Sequence, residues 1–439
     1  MRLFVLLPVL TAAVFSVACS TSDTGPADAG NDPALDAGAS GDGADAGSAD
    51  AGTDAGSADA GTLPDPVPGP AVSLRVPVPG GSFEFAPGDS DGLGNRWSKQ
   101  ATDPGDSVVA MTEAGVAGEG VTAADGVRSL RLELRRTGGS AESRVYVRSP
   151  DMVEVVPGAK YTLEARIYND GSCGWSGSGP ELGFVVSGTA QNTEIPLSSL
   201  PSGQWTLAKA EFVAPTSTLA GTVLGVQVQA RGTSNGTCWP RILVDQMVVL
   251  MDLPGSFEVP NGSFESPVQG TTDTLPTGWS LSEGEATNRI TRVTASPDGA
   301  LSFTAPQGSQ VLRMSSLSTD PSQSRVRLTS PVVTTAVAGR TYVLYASFLD
   351  PASCQWGGSG PTLGFSVGGT WTRLPMNDVS IIGIKANGAG RFHGGAVTWR
   401  ARPSDAGKEL RFSIEVFGDR AACGGPDILI DDVKVGSTL

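Results

Sequence analysis

Among 439 residues there is a single histidine, His393, aromatics make up only 6 %, and Lys plus Arg number 30 against 45 Asp plus Glu, a net charge of −15. The shortage of cations excludes a nucleic-acid partner, because little here would displace counterions from a phosphate backbone. One imidazole excludes a metal site built on paired histidines and leaves room for at most one Ser-His-Asp machine. No Gly-x-Ser-x-Gly turn supplies the nucleophile, so His393 reads as a surface or satisfied side chain. A glycine-rich phosphate loop and a nucleotide fingerprint are missing too, and the chain reads as non-catalytic. No window of helical period stands out. What is plentiful is glycine (58) and proline (31), the punctuation of a strand-rich chain.

The one long apolar stretch, residues 3–17, follows Arg2 and is interrupted by Pro8. It is too short and wrongly flanked for a spanning helix and reads as an export signal over residues 1–19. It ends Phe15-Ser16-Val17-Ala18-Cys19. Small residues before a Cys resemble the lipobox of bacterial lipoproteins, with Ser16 where that motif usually carries Leu. The resemblance implies a diacylglyceryl group on Cys19 and attachment to the bacterial envelope, at the outer membrane or cell surface. Cleavage by an ordinary signal peptidase at Ser16-x-Ala18, giving a freely secreted protein, is the alternative.

Residues 20–72 repeat Asp, Ala and Gly with Ser and Thr spacers, and the stretch from 20 to 70 holds ten Asp and no Lys or Arg. So polar a run cannot offset its chain entropy by burial, and it reads as a disordered, solvated spacer.

The remainder is a duplication. Val78-Pro79-Gly80-Gly81-Ser82-Phe83-Glu84 returns as Val259-Pro260-Asn261-Gly262-Ser263-Phe264-Glu265. Cys173-Gly174-Trp175 and the Gly-Ser-Gly-Pro after it return from Cys354-Gln355-Trp356, and Ile242-Leu243-Val244-Asp245 returns as Ile428-Leu429-Ile430-Asp431. Within each copy the apolar period is two: Tyr161, Leu163, Ala165 and Ile167 alternate with other residues, as do Tyr342, Leu344, Ala346 and Phe348. Such alternation predicts half-buried strands. The expected fold is all-β: two tandem jelly-roll β-sandwich domains, over 73–252 and 256–439, after the signal peptide and the disordered acidic linker.

Cys19 aside, each copy holds two cysteines. Four allow three pairings, and the repeat favours the equivalent ones, Cys173–Cys238 and Cys354–Cys423, which an exported protein would keep oxidised.

Asn261-Gly262-Ser263-Phe264-Glu265 with Trp279 after it, the strand 339–344 and the closing Ile428-Leu429-Ile430-Asp431-Asp432-Val433 form a pattern. In the first copy it reads Gly81-Ser82-Phe83-Glu84, Trp97, 158–163 and 242–248, with Gln246 where the second Asp usually stands. It resembles the jelly-roll carbohydrate-binding modules of families 4, 9 and 22, within the galactose-binding-like superfamily. The resemblance implies a polysaccharide or other glycan as partner. It also implies one structural calcium ion per domain tying first strand to last, through Glu84 with Asp245 and through Glu265 with Asp431. A sugar site needs an aromatic platform ringed by polar groups, and the repeated Trp175 and Trp356, beside Asn169 and Asp350, are candidates. Packing of both tryptophans across the disulfides is the competing role. The alternative function is an envelope or extracellular interaction protein that uses the same sandwiches for protein contacts.

Overall fold

Strict apolar alternation forces each strand to hide one face, and two such sheets can do so only against each other. The computed structural model of the chain describes residues 67–439 except 77, 79, 82, 84–96, 102–106, 114–120, 122, 125–127, 135–142, 172–175, 197–198, 234–240, 267–274, 285–288, 295–303, 316–324, 350–356, 375–391, 420–426 and 439. The predicted export signal with Cys19, the acidic linker, all four disulfide cysteines, Trp175, Trp356, Asp350 and Glu84 lie outside the described residues.

The first half contributes β1 (Val72–Val76), β2 (Ser98–Ala101), β3 (Ser107–Glu113), β4 (Arg128–Leu134), β5 (Ser143–Arg148) and β6 (Val153–Glu154). It continues with β7 (Lys160–Asn169), β8 (Ser176–Val186), β9 (Thr189–Glu194), β10 (Trp205–Val213), β11 (Val223–Thr233) and β12 (Arg241–Leu253). One sheet has the order β10-β7-β12-β4-β3 with β1 also on β12; the other has β2-β5-β11-β8-β9 with β6 also on β11.

The second half supplies β13 (Gly255–Phe257), β14 (Ser280–Gly284), β15 (Arg289–Thr294), β16 (Gln310–Ser315), β17 (Arg325–Thr329) and β18 (Thr334–Thr335). It ends with β19 (Thr341–Leu349), β20 (Gly357–Val367), β21 (Thr370–Leu374), β22 (His393–Arg400), β23 (Glu409–Asp419) and β24 (Asp427–Ser437). Its sheets run β22-β19-β24-β16-β15 and β21-β20-β23-β17-β14. Each strand therefore occupies the place of the one twelve earlier, and the chain is two tandem antiparallel β-sandwiches of one topology. No α-helix occurs among the described residues.

The repeated motifs explain themselves in this frame. The last strand of each sandwich carries a bulge after its aspartate, with Gln246 and Asp432 at positive φ (50° and 53°). The bulge reaches back to the opening motif: Met247 N–H donates to the Gly81 carbonyl at 2.8 Å, and Val433 N–H to that of Gly262 at 3.0 Å. A Cβ on either glycine would stand 2.6 Å from the carbonyl of Met247 or Val433, so only glycine permits this approach. The motif phenylalanines, Phe83 and Phe264, are buried against Trp97 and Trp279, with ring centroids 5.5 and 5.1 Å apart. Tyr161 and Tyr342 close the opposite corner, each hydroxyl accepting a backbone N–H, from Val156 at 2.8 Å and Val337 at 3.0 Å. Large side chains buried this completely contribute roughly 1.5–3 kcal/mol each.

The copies differ where they touch. On β7 the residues facing away from the core are Thr162, Glu164 and Arg166, whereas β19 is buried along its whole length. Val343 and Tyr345, on its outward side, belong to the hydrophobic cluster of the first sandwich, together with Leu74 and Val76. Gly394 of β22 lies so close to the Arg75 carbonyl that a Cβ there would come within 2.6 Å of it. β19 is thus buried on both faces, its outer side covered in part by the first sandwich.

Candidate functional site

The sheet that contains β11 turns Leu224, Val226, Val228 and Ala230 inward, all essentially inaccessible, so Gln227 and Gln229 between them must point outward. They are nevertheless buried, because neighbouring strands supply a polar lattice on the outer face. Arg148 Nε donates to Gln227 Oε1 at 2.5 Å, and Gln227 Nε2 donates to Asn192 Oδ1 at 3.2 Å. Glu181 Oε2 accepts from Gln229 Nε2 at 3.2 Å and from Asn192 Nδ2 at 2.9 Å. Tyr146 lies under the Arg148 guanidinium at 4.9 Å and its hydroxyl donates to Gln100. Glu181 also pairs with Arg231 at 3.7 Å, so the result is a row of amides, one carboxylate and two guanidinium groups across strands β2, β5, β11, β8 and β9.

The same face of the second sandwich carries different chemistry at the same positions. Glu415 stands where the first copy has Gln229, and Arg327 where it has Tyr146. Arg327 grips Glu415 Oε2 through Nε at 3.1 Å and NH2 at 2.6 Å, in a pair that is almost wholly buried. The guanidinium also lies over the indole of Trp371, 3.5 Å from the ring centroid. Beside this pair, Thr329 and Ser413 share a hydroxyl–hydroxyl bond of 2.8 Å.

A local feature makes both faces possible. Leu182-Gly183-Phe184 and Leu363-Gly364-Phe365 place a glycine in mid-strand, facing outward. A Cβ on Gly183 would meet Asn192 Oδ1 at 2.5 Å, and one on Gly364 would meet Trp371 Nε1 at 2.6 Å. The missing side chains let Asn192 and Trp371 lie flat across the sheet. Trp371 Nε1 is a buried donor with no acceptor among the described groups, the kind of atom that a ligand hydroxyl or a water satisfies. Sequence reasoning missed these faces, because alternation alone assigns Gln227 and Gln229 to plain solvent. The repeated glycine between Leu and Phe was the available signal.

Of the site residues expected from sequence, Asn169 ends β7 on the other sheet. Its side chain shapes a turn, with Nδ2 donating to the Leu200 carbonyl at 3.0 Å and Oδ1 accepting Gly171 N–H at 3.1 Å. Its expected companions Trp175, Trp356 and Asp350 are outside the described residues. His393 opens β22 opposite Phe348, half-buried.

The carboxylates expected to hold calcium are seen best in the second copy. Asp431 is fully buried; its Oδ1 accepts from Asp432 N–H at 2.7 Å and its Oδ2 from Gln307 N–H at 2.9 Å. Glu265 Oε1 accepts from Ser309 N–H at 2.9 Å and Gln310 N–H at 2.7 Å, and Oε2 from Ser309 Oγ at 3.3 Å. Both acids therefore clasp the segment 307–310. Burial first, then the charges of Asp432 and Glu265, push the Asp431 carboxyl up to about 7 against the pull of its two N–H donors. In the first copy Asp245 is equally buried and accepts the Gln246 N–H at 2.7 Å. Among the described residues no three His, Cys, Asp or Glu side chains gather as a metal cluster.

No known family model matches the chain, and no curated protein matches it in sequence. Among solved structures, a cyclase from Fischerella sp. TAU aligns over 42 % of this chain and 96 % of its own, at 17 % identity and a TM-score of 0.32. The N-terminal CBM22-1–CBM22-2 tandem domain from Paenibacillus barcinonensis Xyn10C aligns over 84 % of this chain and 99 % of its own, at 13 % identity and a TM-score of 0.27. A structure described for the promiscuous specificity of carbohydrate-binding modules of the β-sandwich superfamily aligns over 36 % and 58 %, at 14 % identity and 0.26. At these values the likenesses assign no residue a role.

Proposed function

We propose that the chain is a non-catalytic glycan-binding protein whose ligand faces are the outer surfaces of the β11-centred and β23-centred sheets. The observation that carries this reading is the pair of built polar faces at equivalent places: the amide lattice around Gln227 and Gln229, and the Trp371–Arg327–Glu415 stack. Amides and a carboxylate offer donors and acceptors to sugar hydroxyls, and an indole offers an apolar surface to a pyranose. Two modest sites on one chain raise avidity for a polymer without tight binding at either. The test is affinity electrophoresis of the chain, expressed without residues 1–19, through gels containing xylan, mixed-linkage β-glucan, mannan or chitosan. At least one polymer should retard it, and the double variant Gln227→Leu/Trp371→Ala should run freely. Absence of retardation in every gel, with proteins co-purifying instead, would favour an interaction protein.

Export and envelope attachment through a lipid on Cys19 belong to the same proposal, supported by the apolar run and its Ala18-Cys19 end. Radiolabelled palmitate should enter the chain and fail to enter a Cys19→Ser variant. The proposed disulfides, Cys173–Cys238 and Cys354–Cys423, should appear as two intradomain crosslinks in peptide mass spectra. One calcium per domain is likewise proposed, held in the second copy by Glu265 and Asp431. The crowding of buried negative charge at Asp431 supports a cation there, and the ion would share carboxylate oxygens that already accept N–H bonds. Calcium should raise the melting temperature and EDTA lower it, and both effects should shrink in Asp431→Asn.

A further inference from the structure

An open cleft lies between the two sandwiches, bounded by Glu154, Pro157 and Leu219 of the first and Thr398, Trp399 and Arg400 of the second. The strand register shows how it arose. Val213 pairs with Lys160 on β10 and β7, and Arg400 pairs with Thr341 on β22 and β19. Arg400, Trp399, Thr398 and Thr341 therefore stand where the first copy has Val213, Phe212, Glu211 and Lys160.

In the first copy Lys160 and Glu211 form an ion pair of 2.7 Å and Phe212 is buried. In the second copy the ion pair has become two hydroxyls, the phenyl an indole and the valine a guanidinium. Trp399 packs at a tilt against Tyr342 and Phe365, with centroids 5.7 and 5.6 Å away, and keeps part of its surface open. Across the cleft Glu154 Oε2 accepts from Thr398 Oγ1 at 3.4 Å while its Oε1 accepts Gly221 N–H at 2.6 Å. Leu219 stands 78 % exposed at the rim.

We infer that this cleft binds a single neutral sugar ring, such as a glycan terminus, at a site separate from the two sheet faces. One carboxylate and one guanidinium cancel in charge, so neither a cationic nor an anionic ligand is favoured. Two threonine hydroxyls, Glu154 and Arg400 match a polyol's alternating donors and acceptors, and Trp399 with Leu219 matches the apolar C–H face of the ring. Because both sandwiches line it, the site exists only while they stay docked.

The test is saturation-transfer NMR on the full chain with methyl β-glycosides of glucose, xylose, galactose and N-acetylglucosamine. At least one should bind, weaken tenfold or more in both Arg400→Ala and Thr398→Val, and be unchanged in Trp371→Ala. Urea midpoints of the two cleft variants should match the parent, since Arg400 is exposed and Thr398→Val preserves shape. Lack of transfer to any glycoside overturns the inference, as does binding that survives both cleft variants or is lost in Trp371→Ala. Failure of the sheet faces is read separately, from polysaccharide retardation in the gels.

Discussion

The two sandwiches share one strand order and one set of corner motifs, yet they spend their outward-facing positions differently. The first keeps β7 polar, with Glu164 held by Lys209 at 2.5 Å. The second has Tyr345 at the corresponding place on β19, and that residue is buried in its neighbour's core. The opposite sheets diverge in the same spirit, an amide lattice in one copy and a buried ion pair under an indole in the other. Duplication fixed the inner faces, because each must still fill one core. It released the outer faces to take on docking or binding.

Placing a charge at the docked position should give the largest effect. Tyr345→Lys puts an ammonium into an apolar interface and should cost about 4 kcal/mol or more in urea denaturation. Glu164→Lys, its counterpart in the first sandwich, should cost about 1 kcal/mol or less, because the ion pair it loses is partly exposed. Equal costs would mean that the sandwiches do not dock as seen.

Next in size is the buried pair. Arg327→Tyr alone leaves Glu415 buried without its cation and should destabilise by about 3 kcal/mol. Adding Glu415→Gln recreates the Tyr146 and Gln229 arrangement of the first copy and should recover most of that loss. The coupling is read from a double-mutant cycle, and additive costs would refute it.

Gly364→Ala should cost about 1–2 kcal/mol by forcing Trp371 off the sheet, and should shift tryptophan emission to longer wavelength. An unchanged spectrum would place the indole elsewhere.

A further effect is one of pH. Asp431 titrates near 7 in the folded chain and near 3.8 when unfolded. Between these values the folded state holds the extra proton, so stability should fall as pH rises from about 4 to about 7 and then level off. Asp431→Asn should remove that slope from a series of melting curves, and bound calcium should flatten it in the parent.

Much of this architecture was legible in the chain. The pairs Tyr161/Tyr342 and Phe83/Phe264 recur with their neighbours, and the packing they make is equally duplicated. The opening motif of each copy is joined to its last strand by the Gly81–Met247 and Gly262–Val433 backbone bonds, and the repeated glycines were their signal in the chain. The candidate faces were less legible, since Gln227, Glu181 and Asn192 come from three different strands and each alone looks like an ordinary solvent-facing residue. Nor could β19 be told from β7 by its inward residues, which are as apolar as those of β7.

By itself the sequence determined the strands, their doubling and the inward face of every sheet, because side chains alternate along a strand whatever surrounds it. The tertiary structure alone decided which outward faces became a polar floor, a docking surface or a cleft. Those depend on what another strand, or the other sandwich, brings within a few ångströms, and residue spacing along a chain carries no record of that.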